Sequence, residues 1–230
     1  MCFSATASFA AGAVLLGVGA LTFKAAKTSA RGPREWPFAA IPLLFAIQQL
    51  IEGVIWLSFS ADAPLLNSVM THVYSFFSHV LWPVWVPVAV LLMEPEGWRR
   101  RALSACVVAG AVVAASLLYV LVTFPVTSKP TGQHIEYVSP HFFAAVTMTL
   151  YLLSTAFSPL LSTHRMAVVF GGLALLSFGA AYAFYATWFI SVWCFFAALL
   201  SAVVYLHFAL ELRKKTPIQA NARAAARALK

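Results

Sequence analysis

Seven long apolar stretches constrain this chain more than any other feature of its sequence. Each runs for roughly 17 to 25 residues, the length of α-helix that crosses a hydrocarbon core of about 30 Å. Hydrophobic residues make up 62% of the 230 residues and charged residues only 10%, which is too few to cover a globule of this size with a water-facing surface. The sequence therefore predicts an all-α, polytopic bundle of seven transmembrane helices.

The predicted spans divide the chain into a helical domain over residues 1–212 and a basic cytoplasmic tail over residues 213–230. The third span is long and contains Pro83 and Pro87, which predicts a kink or a tilted turn at the membrane surface. No charge or proline marks the boundary between the sixth and seventh, near AFYATWF. The spans lie at about Ser4–Phe23, Pro37–Phe59, Asn67–Met93, Leu103–Phe124, His141–Leu161, Met166–Thr187 and Trp188–Leu212.

The positions of Lys and Arg predict the orientation of these spans. Fourteen of the 15 basic residues fall in segments on one side of the predicted bundle, and Lys129 alone falls on the other. Because Lys and Arg concentrate in cytoplasmic connections, we expect the N-terminus outside and the C-terminus inside. The net charge of +8 then reflects membrane orientation and not nucleic-acid binding, and the expected partners are membrane lipids.

Ligand-type side chains concentrate at the predicted outer end. No basic residue precedes Lys24, so we expect no signal sequence, and Cys2 is expected to stay in the mature protein at the outer face. Glu52, in QQLIEGVIW, lies about six residues, roughly 9 Å, below the outer end of the second span. His72 and His79 share a face of the third span, and His141 stands at the lip of the fifth.

An ionisable residue in a membrane helix costs several kcal/mol unless it meets a partner, water or a metal ion. Gln48 and Gln49 extend the polar stripe of Glu52 along the second span, and Ser75 lies between the two histidines of the third. Two such stripes predict either a site or a packed hydrogen-bond network, in which Glu52 is protonated or hydrogen-bonded and the histidines reach toward the interface.

The metal interpretation assigns thiolate, imidazole and carboxylate ligands to one divalent ion, with zinc the expected metal. The candidate ligands are Cys2, Glu52, His72, His79 and His141, and the candidate catalytic residues are Glu52 and Ser75. Two alternatives use the same groups. A haem site would need two of the histidines, although His207 lies near the opposite face, and a disulfide between Cys2 and Cys194 would consume the thiol.

Two further features have simpler interpretations. His207 and Glu211 are four residues apart next to a basic stretch, which favours an ion pair at the inner interface over a site. The connection TFPVTSKPTGQHIEYVSPHF is the one sizeable outer loop, and its turn residues predict that it folds over the mouth of the bundle as a lid.

The opening MCFSATASF and the stretch REWPFAAIPLLFAIQQLIEGVIW resemble an uncharacterised family of bacterial multi-pass membrane proteins that begin Met-Cys-Phe-Ser. That resemblance covers most of the chain and implies the bacterial inner (plasma) membrane. A second resemblance is architectural: seven spans with His, Ser and acidic residues at one end are similar to the alkaline-ceramidase-like membrane hydrolases. Those enzymes use three histidines, a serine and an aspartate around zinc, whereas this chain has no helical Asp and no HxxxH in its last span.

Two classes of function follow from these residues. In the first, a metal ion polarises water for attack on a lipid-like amide or ester that enters from the outer leaflet, or Glu52 acts as general base. In the second, the protein is a non-enzymatic metal-binding sensor, chaperone or transport component. An ion conductor is disfavoured, because below His79 the third span continues as the apolar stretch LWPVWVPVAVLLM. The sequence does not define the oligomeric state.

Overall fold

The structure, a computed structural model, describes residues 4–29, 32–95, 97–140, 143–184 and 189–212. In these ranges seven helices are long and apolar enough to cross a membrane, which agrees in number and order with the predicted spans. A two-stranded antiparallel hairpin joins α4 to α5. The elements are α1 (Ala5–Lys27), α2 (Gly32–Ser60), α3 (Pro64–Met93), α4 (Trp98–Thr123), β1 (Thr127–Thr131), β2 (His134–Val138), α5 (Ala144–Leu161), α6 (Arg165–Phe184) and α7 (Ile190–Leu212).

Helix bounds differ from the predicted spans mainly at their starts. The second helix begins with a 3₁₀ turn, Gly32–Glu35, ahead of the predicted Pro37, so Glu35 belongs to the bundle. The third begins at Pro64, where proline fits the first turn of a helix because its missing N–H needs no partner there. The helices α6 and α7 stop and start on either side of residues 185–188, near the predicted boundary. The predicted tail, residues 213–230, lies outside the described residues.

The predicted distortion of the third span takes the form of a π-helical turn, Phe77–Leu81, and α5 has another at Leu153–Phe157. Each is followed by a proline, Pro83 or Pro159, which cannot donate a backbone hydrogen bond to the preceding turn. In α3 the Trp82 N–H therefore bonds to the Phe77 carbonyl, five residues back. The Ser78 carbonyl instead accepts from the Tyr151 hydroxyl at 2.5 Å, which ties α3 to α5.

Close backbone approach between helices depends on glycine. A Cβ atom placed on Gly110 of α4 would lie 1.9 Å from the Pro83 carbonyl oxygen and 3.1 Å from the Ser154 Cβ. Three helices thus meet at a point where no side chain fits. Small residues commonly permit such contacts between membrane helices.

The hairpin covers one end of the bundle, as the loop composition predicted. The Tyr137 ring stacks on the Tyr74 ring of α3, with centroids 4.5 Å apart and planes 3° from parallel. The hydroxyls of Ser128 and Thr71 are 2.7 Å apart, and Ile135 is fully buried. We call this end the hairpin end. The opposite end, which carries Lys24, Lys27 and the basic residues at the starts of α4 and α6, is the basic end.

The apolar surface is distributed as in a protein surrounded by lipid. Large hydrophobic side chains such as Val14, Leu65 and Val122 are exposed, whereas the buried core includes Phe38, Phe45 and many smaller residues. A water-soluble chain of this size would rarely expose so much contiguous apolar area. The fold therefore supports a multi-pass membrane protein.

Candidate functional site

The Glu52 carboxylate is the centre of a buried polar cluster at the hairpin end. Its side chain is fully buried on α2. Ser191 of α7, also fully buried, donates a hydrogen bond to Glu52 Oε1 at 2.8 Å, and Gln49 Nε2 lies 3.4 Å from Glu52 Oε2. Because Ser191 is 139 residues away in the chain, this bond fixes α7 against α2. Both of these hydrogen-bonding side chains are neutral.

Several buried polar atoms on the helices around Glu52 have no hydrogen-bond partner within the described part of the chain. They are Ser8 Oγ, Gln48 Nε2, Gln49 Oε1 and Ser75 Oγ. Gln48 is only partly satisfied, since its Oε1 accepts from Trp82 Nε1 at 2.8 Å. Nearly all buried polar groups in folded proteins are paired, so these atoms indicate a place for water, an ion or the polar part of a ligand.

A cavity of about 540 Å³ opens beside this cluster, between α3, α4, α5 and α7. Most of its wall is apolar, including Leu117, Val120 and Met148. Its polar lining includes Ser78, His79, Tyr151 and Cys194. The volume lies in the range of sites for small organic ligands, which are typically apolar with a few convergent polar groups.

Cys194 connects the cavity to the polar cluster. It lines the cavity, is 6% exposed, and lies three residues, close to one helical turn, after Ser191, the hydrogen-bond donor to Glu52. It packs in the same apolar group as Tyr74, Ile135 and Tyr137, directly under the hairpin. Cys106 and Cys194 are both free thiols, so the described residues give no support to the disulfide alternative.

The predicted site residues lie on the elements where the sequence placed them. Glu52 and Ser75 are buried, and His79 is half-buried at the cavity wall with Nδ1 2.7 Å from Ser78 Oγ. His72 is half-buried as well, and its Nδ1 lies 2.7 Å from the Ser68 carbonyl oxygen of its own helix. Cys2 and His141 lie outside the described residues. The divalent metal site at this end, with zinc the expected ion, stays a prediction.

Sequence reasoning missed two contributors to this end. Ser191 interrupts the apolar run FISVWCFF, and a single polar residue in such a run was a signal that it faces a partner. Tyr151 gave no comparable signal, because a tyrosine within an apolar helix is common. Its role depends on the π-helical turn that frees the Ser78 carbonyl.

A second polar group lies at the basic end. One ligand atom from each of Glu35, His207 and Glu211 lies within 4.8 Å of the others, and these form the one group of three metal-ligand side chains found among the described residues. The ion pair that the described residues show for His207 is with Glu35 of α2, at 3.8 Å, and Glu211, the predicted partner, lies beside the two.

Seven apolar helices, a hairpin cover and a buried polar cluster at one end of the bundle indicate a polytopic α-helical membrane protein. More particularly, it belongs to the family described as "Family of unknown function (DUF6629)", whose family model matches residues 1–222. This agrees with the uncharacterised family that the sequence resembles. No curated protein and no solved structure matches the chain, so the likeness to alkaline-ceramidase-like hydrolases rests on architecture alone.

Proposed function

We propose that this protein binds a lipid-like molecule with one acyl chain and a polar group at the hairpin end of its bundle. The observation that carries the proposal is the cavity of about 540 Å³, with apolar walls and the polar groups of Ser78, His79 and Tyr151 on one side. Each methylene that leaves water for such a cavity contributes about 0.8 kcal/mol, and the polar wall orients the head of the molecule.

The distribution of basic residues supports an orientation for this proposal. With Lys and Arg on the cytoplasmic side, the hairpin and the cavity face outward and the ligand enters from the outer leaflet of a bacterial inner (plasma) membrane. A reporter fused after Lys230 should be cytoplasmic, and an epitope inserted after Gln133, in the hairpin turn, should be accessible on intact cells. Epitope labelling only after permeabilisation would reverse the orientation.

In its enzymatic form, the proposal makes the ligand an amide or ester substrate. Glu52 then takes a proton from water, the hydroxide oxygen attacks the carbonyl carbon, and the bond to the leaving nitrogen or oxygen breaks as that atom gains a proton. In the alternative form Glu52 is a ligand and not the base: with His72 or His79, Cys2 and His141 it would hold a divalent metal ion, which would polarise the attacking water. Ser75 is the second candidate catalytic group, because its buried Oγ has no hydrogen-bond partner within the described chain.

The non-enzymatic alternative keeps the same ligand and assigns the protein to sensing, chaperone or transport functions. Ligand number distinguishes the two forms. A metal with a water in its coordination sphere favours hydrolysis, whereas saturation by four protein ligands favours a structural or sensing role.

The binding test uses a matched pair of substitutions on α5. Thr147 lines the cavity, whereas Thr149, two residues on, is exposed and does not line it. Thr147→Phe should fill the cavity and weaken binding of 9,10-dibromostearic acid about tenfold or more, and Thr149→Phe should leave binding unchanged. Bromine quenches the fluorescence of a nearby tryptophan, so binding is measured as quenching of Trp193, which lines the cavity. The part of the quenching that is absent in Trp193→Phe is the signal from the cavity. Equal affinity in both threonine variants, or no Trp193-dependent quenching, would refute the proposal.

A further inference from the structure

The basic end contains a group of side chains that the proposed lipid site does not use. Glu35 ends the 3₁₀ turn at the start of α2, and its carboxylate is fully buried. His207 and Glu211 are four residues apart near the end of α7, so both face the same side of that helix. Two carboxylates and one imidazole from distant parts of the chain therefore meet at one point.

The spacing of their ligand atoms fits a common ion. His207 Nε2 lies 3.8 Å from Glu35 Oε1, and all three ligand atoms are within 4.8 Å of one another. Ligands of a tetrahedral zinc ion with bonds of about 2.0–2.1 Å are separated by about 3.3 Å. The ligand atoms need to approach one another by about 1.5 Å at most to reach that spacing, which side-chain rotation can supply.

The state of His207 points independently to a ligand. The residue is 5% exposed, and Nε2 has no hydrogen-bond partner in the described part of the chain. An unpaired ring nitrogen in a buried position is costly, and here it faces two carboxylates. From these observations we propose that Glu35, His207 and Glu211 bind a divalent transition-metal ion, at a site separate from the lipid site.

The surroundings hold these ligands in place. Ser29 Oγ donates a hydrogen bond to Glu35 Oε2, which orients the carboxylate. The rings of Phe38 and Phe208 pack edge-on against His207, with centroids 5.8 and 4.8 Å away. Metal-binding side chains commonly have such hydrogen bonds from neighbouring residues and apolar surroundings of this kind.

The neighbouring His164 packs beside the group of Glu35, His207 and Glu211, and it is not assigned as a ligand. Its ring centroid lies 5.9 Å from that of His207 in an edge-on arrangement. Its Nε2 lies 3.1 Å from the Met93 carbonyl oxygen. This contact anchors His164 to the end of α3 and keeps it beside the group.

The donor set limits the kind of metal. One imidazole nitrogen and two carboxylates suit zinc, manganese or iron, whereas magnesium and calcium prefer oxygen ligands alone. Three protein ligands leave at least one coordination position for water or a small molecule. Glu211 is half-buried, so solvent reaches the group from the side of this residue.

The test is metal binding by the full chain, purified in detergent through an affinity tag that binds no metal. Zn²⁺ and Mn²⁺ are titrated separately after chelator treatment, with zinc followed by isothermal titration calorimetry and manganese by electron paramagnetic resonance. The wild-type chain should bind one ion at this group, and Glu211→Gln and His207→Gln should each lower the affinity of that ion about tenfold or more. Glu136→Gln and His134→Gln, both in the hairpin, are matched controls that should bind as wild type.

Three results would overturn the site. The first is absence of binding by the folded wild-type chain, which is expected if a basic side chain of the protein already occupies the position. The second is unchanged affinity in both variants, and the third is loss of the ion in Glu52→Gln. The last would place the ion at the hairpin end. If metal-free Glu211→Gln unfolds at the same temperature as the metal-free wild type, its weaker metal binding does not result from misfolding. Glu211 is the half-buried residue of the three, so its substitution should disturb folding least.

Discussion

The two ends of α2 hold two buried carboxylates in contrasting surroundings. Glu35 and Glu52 are 17 residues apart in sequence and both are fully buried. Glu52 is contacted by the neutral side chains of Ser191 and Gln49, whereas Glu35 lies beside an imidazole and a second carboxylate. One helix therefore joins two sites, about 25 Å apart, with different chemical requirements.

The surroundings of the two carboxylates differ in charge: neutral side chains contact Glu52 at the hairpin end, whereas ionisable side chains lie beside Glu35 at the basic end. Neutral hydrogen-bond donors can satisfy a single buried carboxyl group in either protonation state, so the hairpin end suits the head group of a neutral or protonated ligand. Two carboxylates beside a buried imidazole favour positive charge among them, and the proposed metal ion would supply it. We therefore assign the apolar ligand to the hairpin end and the metal ion to the basic end.

The largest effect should come from a substitution between the two ends that damages both. Gly110→Ala places a methyl group 1.9 Å from the Pro83 carbonyl oxygen, so α3 and α4 must separate. We expect a loss of about 3 kcal/mol or more in the free energy of unfolding, measured by SDS titration with circular dichroism. Gly179→Ala is the control, because its new methyl group meets no atom within 4 Å. Equal stability of the two variants would contradict the close contact.

A smaller effect should be confined to the hairpin end. Tyr137→Ala removes the ring that stacks on Tyr74 at 4.5 Å and leaves a gap over Cys194. We expect a loss of about 2–4 kcal/mol, because a large buried side chain and an aromatic pair are both lost. Hydrogen exchange should rise in residues 127–138 and stay unchanged around Glu35. Uniform acceleration along the chain would show that the two ends are not independent.

The counterpart at the basic end is Ser162→Ala. Ser162 Oγ donates to the buried Glu94 Oε2 at 2.9 Å and accepts from the His164 N–H at 3.1 Å. Its loss leaves two buried groups with one partner fewer, which should cost about 1–2 kcal/mol. Ser177→Ala, which loses only a bond to a carbonyl in its own helix, is the control. If Ser162→Ala weakens metal binding and leaves dibromostearate binding unchanged, the hydrogen bonds of Ser162 support the basic end alone.

The sequence predicted the bundle well because long apolar runs have few other solutions. Glu52 could also be recognised from the sequence, because a carboxylate inside a long apolar run is costly unless it has a partner. Glu35 was missed because it precedes the predicted second span, which begins at Pro37; the 3₁₀ turn Gly32–Glu35 carries it into the bundle. Its approach to His207, 172 residues away, is a tertiary contact that no local pattern encodes. Two cavity residues, Ser78 and His79, lie in the π-helical turn Phe77–Leu81, whose form the sequence did not specify.

The smallest effect on stability, and the sharpest on function, should come from Glu52→Gln. The new amide oxygen can still accept from Ser191, and its NH₂ group can donate to Gln49 Oε1, which lacks a partner within the described chain. The free energy of unfolding should therefore change by about 1 kcal/mol or less. The charge is lost, so hydrolysis or metal binding at the hairpin end should fall, while metal binding by Glu35, His207 and Glu211 should persist. Glu136→Gln, a hairpin carboxylate away from the cavity, controls for the loss of one negative charge. If Glu52→Gln leaves ligand binding, metal content and any hydrolysis unchanged, Glu52 is a protonated packing residue, and the contrast between the two ends reduces to one functional site and one structural contact.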